Sequence, residues 1–447
     1  MLTRFDDGIS VIDTAAGAEI AHVRMHDPEP ASVTVGRRLL YDAVGTSGNG
    51  EAACASCHVF GDFDGLAWDL GNPDAFPDTG GSLPNPNPFR VTIGEDQGFH
   101  ALKGPMTTQS LRGLASAGPM HWRGDRTAGN DPGGRPLDEN GAFLKFIVAF
   151  DGLLGKPGGI TATEMQQLAD FVLQVTYPPN PIRNLDGSLT ADQQAGRDFY
   201  FDVVSDSVQT CNGCHQLDPA RGFFGTDGFS SFENETQDFK VPHLRNAYQK
   251  VGMFGMAALD GGIHPGDNGD RGPQVRGFGF LHDGSVDTLF RFHRAVVFDG
   301  GFDANGGDAT RRQVEQFVLA YDSNLAPIVG QQVTLTSTNA GTANPRIDLL
   351  VARAAAGDCE LVVKGNVGGV ARGAVRLPDG TFRMDRAADP PVADAALRAL
   401  AAVAGQELTY TAVPPASGTR IGIDRDLDGC LDQDDADPTD PAVCTAP

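Results

Sequence analysis

The sequence predicts a mainly α-helical protein of two tandem domains of one kind, followed by a small β-sandwich and an acidic C-terminal tail. Three observations favour this fold class. A set of motifs and amphipathic segments occurs twice in the same order, a β-rich stretch with glycine turns covers 327–417, and aspartates crowd 418–447. The 447 residues leave room for several domains, at roughly 100 to 200 residues each.

Composition excludes several classes of partner. The chain carries 34 basic and 58 acidic residues, a formal charge of −24, which repels nucleic acid and anionic lipid surfaces. No apolar run approaches the roughly 20 residues of a membrane-spanning helix, and the first residues lack the apolar core of a signal peptide. We therefore expect no nucleic-acid partner and no membrane span.

Residues 1–30 are predicted to form a pair of β-strands. Alternating apolar residues cover Gly8–Thr14 and Ala18–Val23, with a turn at Gly17 between them. Two strands cannot stand alone in water. We expect the pair either to dock on the rest of the chain or to be the remnant of a larger β structure.

The strongest chemical signal is the pattern C-x-x-C-H, which occurs twice. Its members are Cys54, Cys57 and His58, then Cys211, Cys214 and His215. In each copy the thiols can form thioethers with the vinyl groups of one porphyrin, and the histidine can bind its iron. The alternatives are a thioredoxin-like redox pair, which would need flanking strands, a zinc site shared by both pairs, which leaves the histidines unexplained, and chance recurrence.

The surroundings of the motif repeat as well, over the predicted domains 31–177 and 188–326. Each copy begins with an amphipathic helix, closes with a second one, and carries a methionine eight positions after the Arg of a Leu-Arg pair. The helices are Gly36–Asp42 and Met165–Leu173, then Gly196–Asp202 and Arg312–Leu319. This is the layout of a cytochrome c domain, so the sequence predicts two covalently bound haem c groups. A stiff, proline-rich linker, 178–187, separates the copies.

The two methionines, Met120 and Met253, are candidate second ligands of the two irons. Thioether ligation would raise the reduction potential. The alternative is that each fills a gap beside the apolar edge of a haem, which methionine does well.

These repeats resemble the bacterial di-haem cytochrome c peroxidase superfamily, which includes the enzymes that mature tryptophylquinone cofactors and the rubber oxygenases. The resemblance covers roughly residues 31–325 and is carried by both haem motifs, Gly36–Asp42, Leu244–Asn246 and Phe280–Ser285. It implies that Trp122, at the place of the family's tryptophan between the haems, relays electrons. Residues 1–30 resemble the end of a repeat β-propeller that is often joined to such units.

The resemblance also implies further site residues. His100 lies close to where peroxidases carry a distal histidine on the first haem, so it is predicted, with Trp122, as a catalytic residue. His293 lies near the position of the second-haem methionine, which aligns with Val296. A surface or core-edge imidazole is the alternative for both histidines. The family's acid and amide groups have no clear counterpart, because Gly129–Pro136 is an insertion.

The stretch 327–417 is predicted to be a small β-sandwich, with the role of a passive adhesion or spacer module. Its strands are expected at Val333–Leu335, Ile347–Val351, Leu361–Val363 and Leu408–Tyr410.

The tail, 418–447, contains a D-x-D-x-D-G loop that is predicted to bind calcium. Its carboxylates stand at positions 1, 3, 5, 9 and 12 of an EF-type loop, as Asp424, Asp426, Asp428, Asp432 and Asp435. A disordered acidic tail is the alternative. Cys430 and Cys444 flank this stretch and are able to form a disulfide, which would leave Cys359 unpaired.

Together these features predict a di-haem c-type cytochrome that exchanges electrons with a small redox protein and reduces peroxide or activates dioxygen at one iron. We expect the first haem to be the reactive one. The alternative is a non-enzymatic electron carrier with both irons six-coordinate. Haem attachment, calcium and a disulfide all indicate a periplasmic or extracellular protein, so we expect the natural chain to begin upstream of Met1 with an export signal.

Overall fold

The computed structural model describes residues 1–3, 5–71, 102–135, 137–206, 209–218, 223–225, 230–232, 238–252 and 277–444. The chain divides into two compact units, one made of residues 30–182 and 189–324 and the other of residues 1–29, 183–188 and 325–447. Among the described residues, 34% lie in helices and 18% in strands. The fold is therefore mixed α and β, and the prediction of a mainly α protein holds only in part. Among the described residues, no helix has both the length and the apolar character needed to cross a bilayer.

A three-stranded antiparallel sheet opens the chain. Its strands are β1 (Leu2–Thr3), β2 (Gly8–Asp13) and β3 (Ala18–Arg24). The two predicted strands correspond to β2 and β3, and β1 adds a short third one. Beyond β3, Nδ1 of His26 donates to the carbonyl oxygen of Thr439 at 3.1 Å, so this segment contacts the tail of its own unit.

The first repeat consists of short helices and one small pair of strands. Its elements are α1 (Ala31–Tyr41), α2 (Ala43–Thr46), β4 (Ala67–Trp68), β5 (Met106–Thr107), α3 (Glu139–Leu144), α4 (Val148–Gly152) and α5 (Ala162–Val172). Helix α5 begins at a capping box, in which the hydroxyl of Thr161 accepts from the N–H of Glu164 at 3.2 Å. Its Met165 and Leu168 are buried in one core cluster with Leu40 of α1.

The second repeat follows the same plan with more strands. Its elements are α6 (Ala191–Asp202), β6 (Val204–Asp206), β7 (Gln209–Thr210), α7 (Cys211–Cys214), β8 (Gln216–Asp218), β9 (Phe223–Gly225), β10 (Ser230–Phe232), β11 (Asp238–Lys240), α8 (Leu289–Phe292), α9 (Asp299–Asp303) and α10 (Asp308–Leu319). Helix α6 also begins at a capping box, formed by Thr190 and Gln193.

In both repeats the first and last helices cross at a glycine. A Cβ atom on Gly36 of α1 would collide with the carbonyl oxygen of Gln167 in α5, and one on Gly196 of α6 would collide with that of Gln313 in α10. Only glycine permits so close an approach of two backbones. The same contact therefore closes both repeats, although both lie within one compact unit.

The C-terminal part of the other unit contains a six-stranded antiparallel sheet with strand order β12-β17-β13-β14-β15-β16. The elements are β12 (Gln332–Leu335), α11 (Ala340–Ala355), β13 (Glu360–Val367), β14 (Val370–Arg376), β15 (Thr381–Met384), β16 (Val392–Ala393), α12 (Asp394–Leu400), β17 (Leu408–Val413) and α13 (Gly418–Gly422).

The predicted β-sandwich is wrong for this region, because the six strands form a single sheet with helices. Ile347–Val351, predicted as a strand, lies within α11, which buries Ile347 and Leu350 against the sheet. The opposite face of the sheet is covered by the tail, since Val362 and Val375 share a core cluster with Ile423 and Leu431. Helix and tail thus bury the two faces that a sandwich would bury with a second sheet.

Candidate functional site

The first C-x-x-C-H motif begins as a single 3₁₀ turn, Cys54–Ser56. The hydroxyl of Ser56 accepts from the N–H of Ala53 at 3.1 Å and closes this turn. His58 follows, with its pKa lowered by burial, and its Nδ1 donates to the carbonyl oxygen of Asp62 at 3.3 Å. The His58 ring also forms a hydrogen bond with the backbone of Gln109, so two backbone groups orient this imidazole beside the two thiols.

The second motif forms the one-turn helix α7, which begins at Thr210. The Thr210 hydroxyl accepts from the N–H of Gly213 at 3.1 Å. His215 repeats the arrangement of His58, because its Nδ1 donates to the carbonyl oxygen of Pro242 at 2.7 Å. Both motif histidines therefore direct Nδ1 to a backbone carbonyl, and for His215 this leaves Nε2 as the ligand atom.

The four motif thiols lie in apolar surroundings. Burial raises the pKa of Cys54, Cys211 and Cys214 to about 11 and also raises the pKa of Cys57. A thioredoxin-like nucleophile needs a lowered thiol pKa, so these sites are unsuited to that chemistry. Among the described residues, the clusters able to hold a metal ion lie in the tail, which also argues against a zinc site joining the two pairs.

A cavity of about 490 Å³ adjoins the second motif, and Cys211, Cys214 and His215 form part of its wall. Most of the remaining wall is apolar, with Val241, Leu244, Phe280, Leu289, Phe292, Phe302, Val314 and Val318 among its residues. An apolar cavity that brings together two thiols and one imidazole fits the porphyrin of a haem c. The donor set of this chain therefore suits the predicted cofactor.

Two further histidines line this cavity. His293, predicted as a ligand from the sequence, is 6% exposed, its Nδ1 has no hydrogen-bond partner, and burial lowers its pKa to about 3. His243 was not predicted. Its Nε2 lies 3.4 Å from the hydroxyl of Tyr177, and burial holds its pKa well below the usual range. The available signal was its position directly before the repeated Leu-Arg pair, where the first repeat has Ser110.

Trp122 belongs to the first repeat, yet its side chain lines the cavity beside the second motif. It is 6% exposed, and its Nε1 donates to the carbonyl oxygen of Thr107 at 2.8 Å. Its own carbonyl oxygen accepts from the N–H of Lys240 at 2.8 Å. The amino group of Lys250 lies 5.9 Å from the centre of the indole ring.

The two lysines beside Trp122 were missed by sequence reasoning. Burial lowers the pKa of Lys240 to about 7 and that of Lys250 to about 8. Lys240 also donates from Nζ to the carbonyl oxygen of Pro119 at 2.7 Å. A single lysine carries no motif, so only the fold reveals that both amino groups are enclosed and that the one of Lys250 lies near the indole.

Met120 lies in the core cluster of the first repeat, against which Cys54 also packs. The next residue, His121, donates from Nδ1 to Asp125 at 3.1 Å. Burial alone would raise the pKa of Asp125, but the neighbouring His121 and Arg123 outweigh it, so this pKa is lowered. Met120 is thus near the first motif, as its place in the repeat predicts. The other two predicted site residues, His100 and Met253, lie outside the described residues.

The calcium-type loop in the tail brings three carboxylates together. Oxygen atoms of Asp424, Asp426 and Asp428 lie within 4.8 Å of one another. Asp435, the last carboxylate of the loop, is also buried. A side-chain oxygen of Asp432 accepts a hydrogen bond from the N–H of Arg425 at 2.9 Å. The disulfide between Cys430 and Cys444 is confirmed, and Cys359 is buried and free, as predicted.

No protein-family model and no curated protein matches the sequence. Solved structures that match include hydrazine synthase from Kuenenia stuttgartiensis, at 18% identity and a TM-score of 0.42, with 66% of this chain and 89% of that chain covered. The diheme peroxidase BthA from Burkholderia thailandensis matches at 15% identity and a TM-score of 0.33, covering 66% and 87%. A MauG-like protein associated with microbial copper homeostasis matches at 16% identity and a TM-score of 0.34, covering 65% and 88%.

All three TM-scores lie below 0.5, so the resemblance to the di-haem cytochrome c peroxidase superfamily rests on the repeats of the sequence.

Proposed function

We propose that this chain is a di-haem c-type cytochrome that transfers electrons between two covalently bound haems and reduces peroxide, or activates dioxygen, at one of them. Each C-x-x-C-H motif attaches one haem, with His58 and His215 as the proximal ligands. The diheme peroxidase and the MauG-like protein among the solved structures agree with a redox role at the level of the superfamily.

One observation carries this proposal: the indole of Trp122, from the first repeat, forms part of the wall of the cavity beside the second haem motif. An aromatic residue of the first repeat at the second haem motif supports a route for electrons between the two haem sites. Its hydrogen bond to the carbonyl oxygen of Thr107, at 2.8 Å, holds the ring in one orientation.

When bound, each haem supplies an iron that takes up and releases single electrons, and an iron with an open distal side can also bind peroxide or dioxygen. The residues of the chain orient and enclose these sites. Hydrogen bonds from Nδ1 to Asp62 and Pro242 fix the two proximal imidazoles. The apolar wall around the second motif excludes water, which strengthens electrostatic interactions inside the cavity.

The two sites are proposed to differ in ligation. His293 is a buried imidazole without a partner for Nδ1 in the second cavity, which supports a saturated second iron with His293 or Met253 as its distal ligand. The first iron is then the reactive one, with Met120 or His100 as a displaceable ligand.

We also propose a small redox protein as the electron partner and a periplasmic or extracellular location. The disulfide Cys430–Cys444 supports the location, because such bonds persist in oxidising compartments. The loop 424–435 is proposed to hold calcium, for which its carboxylates are suitable ligands.

A non-enzymatic electron carrier is the second candidate function. It is favoured by the buried methionine of the first repeat, because Met120 is 3% exposed in the cluster that also contacts Cys54. If Met120 and His293 both bind iron permanently, neither iron can bind a substrate.

Absorption and electron paramagnetic resonance spectra of the purified protein, oxidised and reduced, with and without cyanide, distinguish the two functions. We expect cyanide to convert one haem and leave the other unchanged. If cyanide binds neither iron in any oxidation state, the enzyme proposal falls and the electron carrier takes its place.

A further inference from the structure

The loop 424–435 contains four buried carboxylate oxygens without a hydrogen-bond partner. They belong to Asp424, Asp426, Asp428 and Asp435, at positions 1, 3, 5 and 12 of an EF-type loop. Asp424 and Asp435 are each only 5% exposed. Oxygens of the first three residues lie within 4.8 Å of one another. A buried carboxylate oxygen without a partner is costly, so these three carboxylates form the centre of a site for a hard cation such as calcium, and the unpartnered oxygen of Asp435 is the candidate for a fourth ligand.

The fifth acidic residue of the loop, Asp432, is engaged differently. One of its oxygens accepts from the N–H of Arg425 at 2.9 Å, and the other lies 3.5 Å from Nζ of Lys364 on strand β13. Its N–H donates to the carbonyl oxygen of Ile423 at 2.9 Å. Both oxygens of Asp432 are therefore directed to the protein, and the residue joins the loop to the sheet.

The loop is fastened to the sheet at several further points. The N–H of Gln433 donates to the carbonyl oxygen of Asp385 at 2.9 Å, and its amide group donates to that of Ala371 at 3.1 Å. Leu431, inside the loop, and Ile423, just before it, are buried against Val362 and Val375 of β13 and β14. Distortion of the loop is thus transmitted directly to the strands.

We infer that the cation bound by Asp424, Asp426, Asp428 and Asp435 cross-links the tail to the six-stranded sheet, with Asp432 as a positioning residue rather than a ligand. This inference rests on the calcium site proposed above and adds its ligands and its structural role. Without the ion, the clustered carboxylates of Asp424, Asp426 and Asp428 repel one another at the point where the tail covers one face of the sheet. With the ion bound, the same carboxylates keep the tail packed on that face of the sheet.

Hydrogen-exchange mass spectrometry on the full-length, haem-loaded protein tests this inference, with calcium or a chelator in the buffer. The measured quantity is the exchange rate of amides in β13 and β14. At calcium roughly 100 times its Kd, we expect exchange about 100-fold slower, because a ligand that binds only the folded state stabilises it by RT ln(1 + [L]/Kd). Haem absorption in the same samples serves as a control and should stay unchanged.

Matched substitutions identify the ligands. Asp424→Asn and Asp435→Asn should each abolish most of the calcium-dependent protection of β13 and β14. Asp440→Asn removes the same charge from the tail outside the loop and should leave the protection intact. Asp432→Asn should retain the calcium dependence. If Asp432→Asn abolishes it as fully as Asp424→Asn does, the assignment of ligands is wrong.

Two other outcomes would overturn the inference in different ways. If calcium slows exchange only within 424–435 and leaves β13 and β14 unchanged, the cross-link is wrong while the calcium site stands. If calorimetry detects no calcium binding to the wild-type protein, both the site and the cross-link fall. Neither result would affect the proposal for the haem sites.

Discussion

His243 and His293 line the same cavity, but their contacts differ. His243 reaches the hydroxyl of Tyr177 through Nε2, at 3.4 Å. His293 packs against aromatic rings, with its ring centre 5.3 Å from that of Phe302, and its Nδ1 has no hydrogen-bond partner. Nδ1 of His243 has no hydrogen-bond partner either, so both imidazoles keep a nitrogen available for a metal. His293 is the ligand that the family resemblance implies, and His243 is the alternative.

Replacing His293 by Phe should therefore remove the low-spin signal of the second haem and allow cyanide to bind there. His243→Phe is the matched control in the same cavity and should preserve the signal. Electron paramagnetic resonance of the oxidised proteins measures both. An unchanged low-spin signal in the His293 variant would exclude His293 as the ligand and leave Met253 and His243 as candidates.

Trp122→Phe should slow electron transfer between the two haems, because phenyl is harder to oxidise than indole and cannot donate to Thr107. The chain has only two tryptophans, and the other, Trp68, is 42% exposed. Trp68→Phe is therefore a suitable control and should leave the rate unchanged. Stopped-flow absorption after mixing with a reductant measures the rate, and equal rates in both variants would remove Trp122 from the route.

For single residues, the sequence predicts those that belong to motifs and misses those whose chemistry depends on burial. The C-x-x-C-H pairs and Trp122 are recognisable from spacing and from a family resemblance. Lys240 and Lys250 carry no such pattern, because their lowered pKa values come from enclosure. Asp432 fits position 9 of the calcium loop by spacing, but the structure turns both of its oxygens toward Lys364 and Arg425.

The helix pairs of the two repeats depend on a glycine at each crossing. Gly36→Ala and Gly196→Ala should each destabilise the protein by about 1 to 3 kcal/mol, since the added methyl group forces two backbones apart. Gly152→Ala, at the end of α4, adds the same group where no atom lies within 4 Å, and should be neutral or stabilising by up to about 1 kcal/mol. Thermal or denaturant unfolding of the haem-loaded variants measures the differences. Equal stability of all three would contradict the close crossing.

In the six-stranded sheet, the strands are easier to predict from the sequence than the elements that pack on them. Val362 and Val363 are both buried, one on each face of β13, so the apolar run correctly predicts a strand covered on both sides. It does not reveal what covers each side. Ile347–Val351 is expected to be a strand as part of the β-rich stretch, but the three-residue spacing of Ile347 and Leu350 places them on one face of helix α11.

For the whole molecule we expect a mass that exceeds the polypeptide by two haems. Each C-x-x-C-H motif supplies two thiols for thioether bonds, which survive denaturation. Intact-mass spectrometry measures the number of haems, and extraction with acidified organic solvent tests the bond, because only non-covalent haem is removed. In each of the variants Cys214→Ala and Cys57→Ala, one haem should either be attached by a single thioether bond or be lost. Loss of all colour from the wild-type protein would contradict covalent attachment.

The short backbone span from Lys240 to Pro242 connects the main chain of Trp122 to the side chain of His215. Its first N–H binds the carbonyl oxygen of Trp122 at 2.8 Å, and its last carbonyl oxygen binds Nδ1 of His215 at 2.7 Å. Proline at the end of this span restricts its backbone torsion. The main chain of Trp122 and the imidazole of His215 are therefore held by one short span of backbone. If a haem binds at His215 as proposed, this common support would keep its position relative to Trp122 nearly the same in every molecule, and with it the rate of electron transfer.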